Sequence, residues 1–412
     1  MKAREFIFLM LVGAVLFGPA VLFGFTKADV AIPENLSAAC ARYLAGGVVE
    51  ANTKEAFNLP AVIDGEFQST LEKEIENYIP AKAAAMLGYS ALQRAAIEMS
   101  NLLFNWECYL VSYDSQSIYI PAYDAITGYP KELSADYKKD IDDFFNMLVE
   151  YSARHPDINY VVYLVADNSQ FPACNPAYEL TSDSATFDDV SKLIGTRLRD
   201  SPSVKFLCSS QASLDEYYDD FYGSDLHWNC EGALSASNEI LSTLDLPSIP
   251  ADFINLAGGV PFSGTEARRS LMLIEDEPRD NFIDYSSLYI EDEDGMHHSV
   301  DTHEEYWNAN KTLKHFYFYE LYCCSLENKT IQGGSGKSNV LLVSDSFGSS
   351  IQSNLALFSH GLVHRCILRE TRKTTLNMTE EIENNDIDTV VFVARFPSFA
   401  TFNDRNPNWF DG

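Results

Sequence analysis

The feature that most constrains the fold is the segment NVLLVSDSFG at residues 339–348. Its apolar run, Val340 to Val343, predicts a buried strand, and Ser344-Asp345-Ser346 then leads into a helix-like segment. A serine at such a turn stands at the carboxyl end of a sheet, where open α/β folds bind their ligands. The helix that follows offers unpaired N–H groups to an anion. The segment therefore predicts an α/β fold with Ser346 as a candidate nucleophile.

Apolar runs and helical patterns alternate along most of the chain. Further strands are predicted at 160–165, 204–208, 362–368 and 388–394, helices at 83–103, 135–151, 187–198, 350–358 and 379–385, and a hairpin at 107–120. This alternation predicts a doubly wound, mainly parallel sheet. We interpret residues 61–412 as one domain, with a β-rich or irregular insertion around 246–334.

The amino terminus predicts a membrane anchor. Lys2 and Arg4 precede an apolar run from Phe6 to Phe25, whose 20 residues match the ~30 Å hydrocarbon core of a bilayer. The basic flank stays in the cytoplasm by the positive-inside rule. We therefore predict an anchor at 1–27, a tether at 28–60 and a domain outside the cytoplasm. The alternative is a cleaved signal peptide, which would make the protein secreted.

The charge balance argues against two classes of partner. The chain has 29 Lys and Arg residues against 60 Asp and Glu residues, a formal net charge of −31 that is spread along its length. Nucleic acids and anionic bilayer surfaces both require a basic patch on the protein. We therefore predict no nucleic-acid partner and no binding to an anionic membrane surface.

A candidate base for Ser346 lies in the segment DLHWN at residues 225–229. A serine hydroxyl is a weak nucleophile at its own pKa and needs such a base. In a serine hydrolase mechanism Ser346 attacks an acyl carbonyl, His227 takes its proton, and Asp225 orients the imidazole and stabilises its charged form. This chemistry requires neither a cofactor nor a metal.

Other polar residues are candidates for an oxyanion or substrate-binding role. Asn229 follows the DLHW segment, and Arg369 and Arg395 follow or end predicted strands at the same sheet edge. Each of the three has a structural role as its alternative. Trp228 could stack on a sugar ring or pack in the core and fix the loop. Three histidines of the insertion are better explained by a solvated acidic loop than by a metal site: His297, His298 and His303.

Several motifs occur together in a specific order. An N-terminal anchor is followed by DGEF, DLHWN, EGA, PFSGTEARR, SDSFG and DTVVFV. This set resembles the DHHW family and the related alginate O-acetyltransferase proteins of the SGNH-hydrolase-like superfamily, over most of residues 60–395. The resemblance implies a three-layer α/β/α fold in which Asp225 and His227 match the family's catalytic Asp and His, and Ser346 its nucleophile. It also implies O-acetylation of an exported or cell-envelope polysaccharide, with acetyl supplied through a multipass membrane acyltransferase.

Two positions depart from the family pattern. Ser344 stands where GDS is usual, and Leu226 stands where the family name records a second histidine. Glycine at position 344 would permit close backbone approach, so Ser344 puts the oxyanion geometry in doubt. Two alternatives therefore stay open. One is a carbohydrate O-acetyl esterase with the same triad, and the other is a non-catalytic glycan-binding or assembly protein with a decayed site.

Overall fold

The computed structural model describes most of the predicted domain. The described residues are 68, 82–104, 109–110, 117–120, 122–128, 135–166, 168, 171, 187–199, 201–209, 211–249, 264, 266–267, 274, 276, 287–291, 297–299, 329–368, 377–406 and 408–410. The predicted anchor and tether, the DGEF motif and Arg369 lie outside these residues. Within the described residues, no helix combines the length and the apolar character needed to cross a membrane.

Strands and helices alternate in the described residues, and we number them in chain order. The strands are β1 (Tyr109–Leu110), β2 (Ser117–Ile120), β3 (Ala125–Gly128), β4 (Asn159–Leu164), β5 (Val204–Cys208), β6 (Tyr289–Glu291), β7 (His297–Ser299), β8 (Thr330–Gln332), β9 (Asn339–Ser344), β10 (Gly361–Arg365) and β11 (Thr389–Ala394). The α-helices are α1 (Lys82–Phe104), α2 (Ala135–Arg154), α3 (Phe187–Leu198), α4 (Leu214–Asp220), α5 (Cys230–Thr243), α6 (Gln352–Leu357), α7 (Met378–Asn384), α8 (Phe396–Ala400) and α9 (Phe402–Arg405). A 3₁₀ helix at Ser346–Ser350 lies between β9 and α6.

In the part of the chain that the structure describes, the main sheet has eight strands in the order β5-β4-β11-β9-β10-β8-β6-β7. All neighbours from β5 to β10 pair in parallel, as predicted for a doubly wound fold. The strands β8, β6 and β7 extend this sheet with antiparallel pairs. A second sheet contains β1, β2 and β3, of which the β1–β2 hairpin was predicted and β3 was not.

Helices cover both faces of the parallel strands. On one face the Phe144 ring of α2 lies 5.8 Å from the Phe392 ring of β11. On the other face Tyr163 of β4 shares a side-chain hydrogen bond with Glu239 of α5. Phe392 pairs with Val162, the neighbour of Tyr163 in β4, and successive side chains of a strand point to opposite faces. The architecture is therefore a three-layer α/β/α sandwich with a mostly parallel sheet. Burial on both faces explains why these strands are continuous apolar runs in the sequence.

Candidate active site

Ser346 begins the 3₁₀ helix that follows β9, and the preceding residue fixes this turn. The Asp345 carboxylate accepts hydrogen bonds from the N–H of Phe347 (3.0 Å), the N–H of Arg395 (3.1 Å) and the hydroxyl of Ser398 (2.8 Å). Burial raises the pKa of Asp345, and these donors partly oppose that effect. The carboxylate therefore ties the turn after β9 to the start of α8 and leaves the Ser346 side chain partly exposed.

The structure brings Ser346, His227 and Asp225 together as a relay. Ser346 Oγ lies 2.6 Å from His227 Nε2, and His227 Nδ1 lies 2.5 Å from Asp225 Oδ1. Because an ionised carboxylate only accepts hydrogen bonds, Nδ1 carries a proton and Nε2 is left to accept the serine proton. Asp225 and His227 are buried, with exposed fractions of 3% and 8%. The arrangement has the geometry that general-base activation of a serine needs.

The loop that carries His227 is closed at its base. Phe221 and Trp228 form an isolated antiparallel bridge. The N–H of Tyr222 donates to the carbonyl of His227 at 3.1 Å, and the N–H of Asn229 donates to the carbonyl of Asp220 at 2.8 Å. These bonds hold the segment between α4 and α5 as a compact loop, so the imidazole approaches Ser346 from a defined direction.

Trp228 and Asn229 serve the structure of this loop. The Trp228 ring is 1% exposed, packs edge-on against Phe347 at 5.2 Å, and donates its N–H to Ser350 Oγ. Of its two interpretations, core packing is therefore the one that the structure supports. Asn229 caps α5, because its side-chain Oδ1 accepts the N–H groups of Glu231 and Gly232 and its Nδ2 donates to Asp219 O. The polar groups of both side chains are therefore bonded within the loop and its neighbouring helices.

A half-buried carboxylate that sequence reasoning missed, Asp276, holds the other side of the loop. Asp276 accepts the N–H groups of Gly223 (2.8 Å) and Ser224 (2.9 Å) and also the Ser224 hydroxyl. Burial raises the pKa of Asp276. Gly264 adds a bond of 2.8 Å to Ser224 Oγ. A Cβ atom on Gly264 would lie 2.3 Å from the Cβ of Asp225, so the backbone approach requires glycine. The PFSG motif was a signal for Gly264, whereas nothing in the sequence singled out Asp276.

A second polar chain lies behind the serine turn. Ser344 Oγ donates to Asp345 O (2.7 Å) and lies 2.8 Å from His364 Nε2. His364 Nδ1 lies 2.6 Å from Gln352 Oε1, and Gln352 Nε2 donates to Ser349 O at 2.9 Å. All of these side chains are buried. The chain therefore links the end of β9 to β10, to α6 and to the 3₁₀ helix.

The remaining candidates have less definite positions. Arg395 donates its backbone N–H to Asp345 and follows β11, and its charge lowers the pKa of Asp345 against the larger effect of burial. Arg369 lies outside the described residues. Within the described residues, no group of three or more His, Cys, Asp or Glu side chains is placed to hold a metal ion.

Comparison with solved structures places the fold. A DHHW family protein from Eubacterium siraeum is 14% identical, with a TM-score of 0.51 over 71% of this chain and 95% of that chain. Bacillus cereus PatB1, in a structure with a sulfonyl adduct, is 16% identical, with a TM-score of 0.50 over 68% of this chain and 95% of that chain. No family model matches the sequence, and no curated protein matches it. The likeness predicted from the motifs is therefore confirmed at the level of the fold, which this chain shares with a DHHW family protein and PatB1.

Proposed function

We propose that this protein is a membrane-anchored, extracytoplasmic O-acetyltransferase that acts on a cell-envelope or exported polysaccharide. The observation that carries the proposal is the Asp225–His227–Ser346 relay, which stands at the carboxyl end of β9. The fold shared with the DHHW family protein and PatB1 supports the same conclusion. The anchor is the predicted segment 1–27, and the acetyl donor is a multipass membrane acyltransferase.

The reaction proceeds through an acetyl-serine. Ser346 Oγ attacks the acetyl carbonyl while His227 Nε2 takes the hydroxyl proton, and the resulting imidazolium is stabilised by Asp225. Collapse of the tetrahedral intermediate expels the donor's leaving group, which receives that proton. A sugar hydroxyl then gives its proton to His227 and attacks the acetyl-serine. When the second tetrahedral intermediate collapses, His227 returns that proton to Ser346 Oγ, which frees Ser346 and leaves an O-acetyl sugar. General-base assistance of this kind contributes about 10²–10⁴-fold in rate.

The start of the 3₁₀ helix supplies part of the oxyanion site. The Ser346 N–H is the first of this helix, and the N–H groups of the next two residues are directed to Asp345, through Phe347 N to its carboxylate and Gly348 N to its carbonyl. The Ser346 N–H is therefore the donor that we assign to the developing oxyanion. Partly exposed Arg395, next to this turn, is the second candidate.

A chromogenic ester tests the relay directly. The full chain should release p-nitrophenol from p-nitrophenyl acetate, and Ser346→Ala and His227→Ala proteins with unchanged circular dichroism should fall to background. Ser335→Ala is the control, because it removes an exposed serine hydroxyl that lies before β9, at the opposite end of that strand from the relay. Equal rates in all four proteins would show that the site is wrongly assigned.

Covalent labelling tests the nucleophile independently of turnover. Phenylmethanesulfonyl fluoride should add one sulfonyl group, with an Oγ–S bond forming, fluoride leaving and the hydroxyl proton passing to His227. Intact mass and peptide mapping should place the group on Ser346. Ser335→Ala should be labelled and Ser346→Ala should not. Labelling of a different serine, or none, would contradict the proposed nucleophile.

The product distinguishes transfer from hydrolysis. With an acetyl donor and polysaccharide present, the proposal predicts acetylated polysaccharide by mass spectrometry or NMR. Release of free acetate alone would instead identify a carbohydrate O-acetyl esterase with the same triad, since water or a sugar hydroxyl can accept the acyl group.

A further inference from the structure

A cavity of about 510 Å³ lies far from Ser346. It opens at the first residues of β9 and β10, Asn339 and Gly361, whereas Ser346 follows the last residue of β9. The six residues of β9 are separated by five steps of about 3.3 Å, which put some 17 Å between its two ends. The cavity is thus at the opposite edge of the sheet from the catalytic relay.

The cavity occupies a stretch of sheet face on the α2 side of the sandwich. Gly361, Gln332 and Tyr289 are register partners on β10, β8 and β6, so they lie in one cross-strand row. The end of α7, at Asn384 and Asn385, forms the adjoining wall. The Tyr289 hydroxyl donates to Gln332 Oε1 at 3.1 Å, which holds both side chains in place. The sheet therefore presents a preformed concave surface here.

The chemistry of the lining indicates the class of ligand. Amides are the most frequent polar side chains in it, beside the Tyr289 ring, the His360 imidazole and the Asp386 carboxylate, and the described residues that line it include no lysine or arginine. An anionic ligand would meet the Asp386 carboxylate and no lysine or arginine, and one imidazole with one carboxylate is too few ligands for a metal ion. Amides offer both donors and acceptors, which suits a ligand with many hydroxyl groups. A tyrosine ring provides an apolar surface for the C–H face of a sugar.

We propose that this cavity is a second, non-catalytic binding site for a neutral oligosaccharide. A polysaccharide held here could remain attached while another part of the same polymer reaches Ser346. The binding chemistry is independent of the proposed transferase activity, and only the identity of the natural glycan rests on it. A site of this volume accommodates a few sugar units, within the usual range of about 300–1,000 Å³ for ligand pockets.

Gly361 offers a way to fill the cavity without removing a polar group. A Cβ atom there would have Asn339 Oδ1 at 3.3 Å and Ile331 O at 4.0 Å as its nearest neighbours. A phenylalanine at this position would therefore extend into the cavity. Gly88→Phe is the matched control, because a Cβ atom at Gly88 has no neighbour within 4 Å. Asn384→Ala is the second variant, since the exposed Asn384 side chain can be shortened without affecting the core.

The experiment measures binding by calorimetry to full-length Ser346→Ala protein, which cannot turn the probe over. The probes are cellotetraose, mannotetraose and N-acetylated chitotetraose. We expect saturable binding of at least one probe, weakened at least tenfold by Gly361→Phe and about threefold by Asn384→Ala, with Gly88→Phe unchanged. Absence of saturable binding by all three probes would overturn the proposal. Unchanged affinity in Asn384→Ala and in a folded Gly361→Phe protein would overturn it too.

The same variants separate this inference from the proposed function. In a protein that keeps Ser346, the Gly361→Phe variant should hydrolyse p-nitrophenyl acetate at the wild-type rate, because the cavity is remote from the relay. Glycan binding without any Ser346-dependent ester hydrolysis would contradict the proposed function and support the binding site. Ester chemistry without glycan binding would do the reverse.

Discussion

Gly348 and Ser344 share a space that only one side chain can fill. A Cβ atom at Gly348 would lie 2.0 Å from Ser344 Oγ and 2.3 Å from Ser344 Cβ. Favourable contacts between non-bonded heavy atoms lie at about 3.5–4.0 Å. The backbone at the end of β9 cannot move away from Gly348, because β9 is hydrogen-bonded to β11 on one side and to β10 on the other. The Gly348→Ala substitution must therefore displace the Ser344 side chain or the serine turn itself.

The size of the effect follows from these contacts. Overpacking of a buried site costs about 1–3 kcal/mol. Displacement of the Ser344 hydroxyl also breaks its bonds to Asp345 O and His364 Nε2, and loss of such buried bonds costs about 1–3 kcal/mol more. We therefore expect Gly348→Ala to lower the free energy of unfolding by at least about 2 kcal/mol.

Removal of the Ser344 side chain should reverse the sign. In a Ser344→Gly background the colliding atoms are gone, and replacing glycine by alanine at an unstrained position stabilises a protein by about 0.4–1 kcal/mol through the unfolded chain. Gly348→Ala should then be neutral or stabilising. The coupling energy between the two positions should be at least about 2 kcal/mol, at the upper end for contacting residues.

Urea unfolding of the four proteins of this cycle provides the assay. Gly195→Ala in α3 is the matched control, because its Cβ atom would meet only Phe206 at an ordinary 3.5 Å, and it should not be destabilising. Turnover of p-nitrophenyl acetate should follow the same pattern, lost in Gly348→Ala and at least partly restored in the double variant. An equal cost of Gly348→Ala in both backgrounds would refute the steric argument.

Three further predictions concern the groups that support the relay. Asp276→Asn should lower the free energy of unfolding by about 2–4 kcal/mol, because an amide cannot accept all three hydrogen bonds that Asp276 accepts. Urea unfolding measures this loss, with Asp143→Asn as the control, since that change removes an exposed ion pair worth less than about 1 kcal/mol. Equal losses in the two variants would contradict the prediction. Trp228→Phe should cost about 1–2 kcal/mol, since its N–H no longer reaches Ser350 Oγ, and should slow p-nitrophenyl acetate turnover; unchanged stability would mean that this bond contributes nothing. Burial raises the pKa of Asp345 above its ordinary 3.8. Between the pKa of the unfolded state and this raised pKa of the folded state, the folded state binds more protons. The stability of the wild-type protein therefore falls as the pH rises through that range. Because asparagine does not titrate, the stability deficit of Asp345→Asn should shrink between pH 4 and pH 7 in urea unfolding, and a growing deficit would refute the sign.

The parallel strands could be predicted because they are buried on both faces, so that consecutive residues of each strand are apolar. In β9 and β11 nearly every side chain is buried, on both faces of the sheet, so the sequence shows an unbroken apolar run. The helix at 187–198 and the strand at 204–208 were predicted with the bounds that the structure has. The contact between Ser346 and His227 could also be predicted, because each residue lies in a short local motif.

Features that depend on distant partners could not be predicted in the same way. The strands β6, β7 and β8 have three residues each, too few to show the alternation of apolar and polar residues that predicts a strand. They form because they pair with β10 and with each other. Asp276 is one of many acidic residues, and only its burial against the loop at 223–224 distinguishes it. The predicted helix at 350–358 instead begins as a 3₁₀ helix at Ser346, because Asp345 caps the turn at once.

Ser344 was the departure that favoured a decayed site, and the structure gives it a different meaning. Glycine at the first position of a GDS motif would allow the backbone to approach closely. Here the close approach is made by Gly348 instead, whose missing side chain leaves the space that Ser344 fills. The Ser344 hydroxyl bonds to His364 and Asp345, while Ser346 keeps its 2.6 Å contact with His227. The exchange of a glycine for a serine at position 344 is therefore compensated within the same turn, and it no longer argues for a non-catalytic protein.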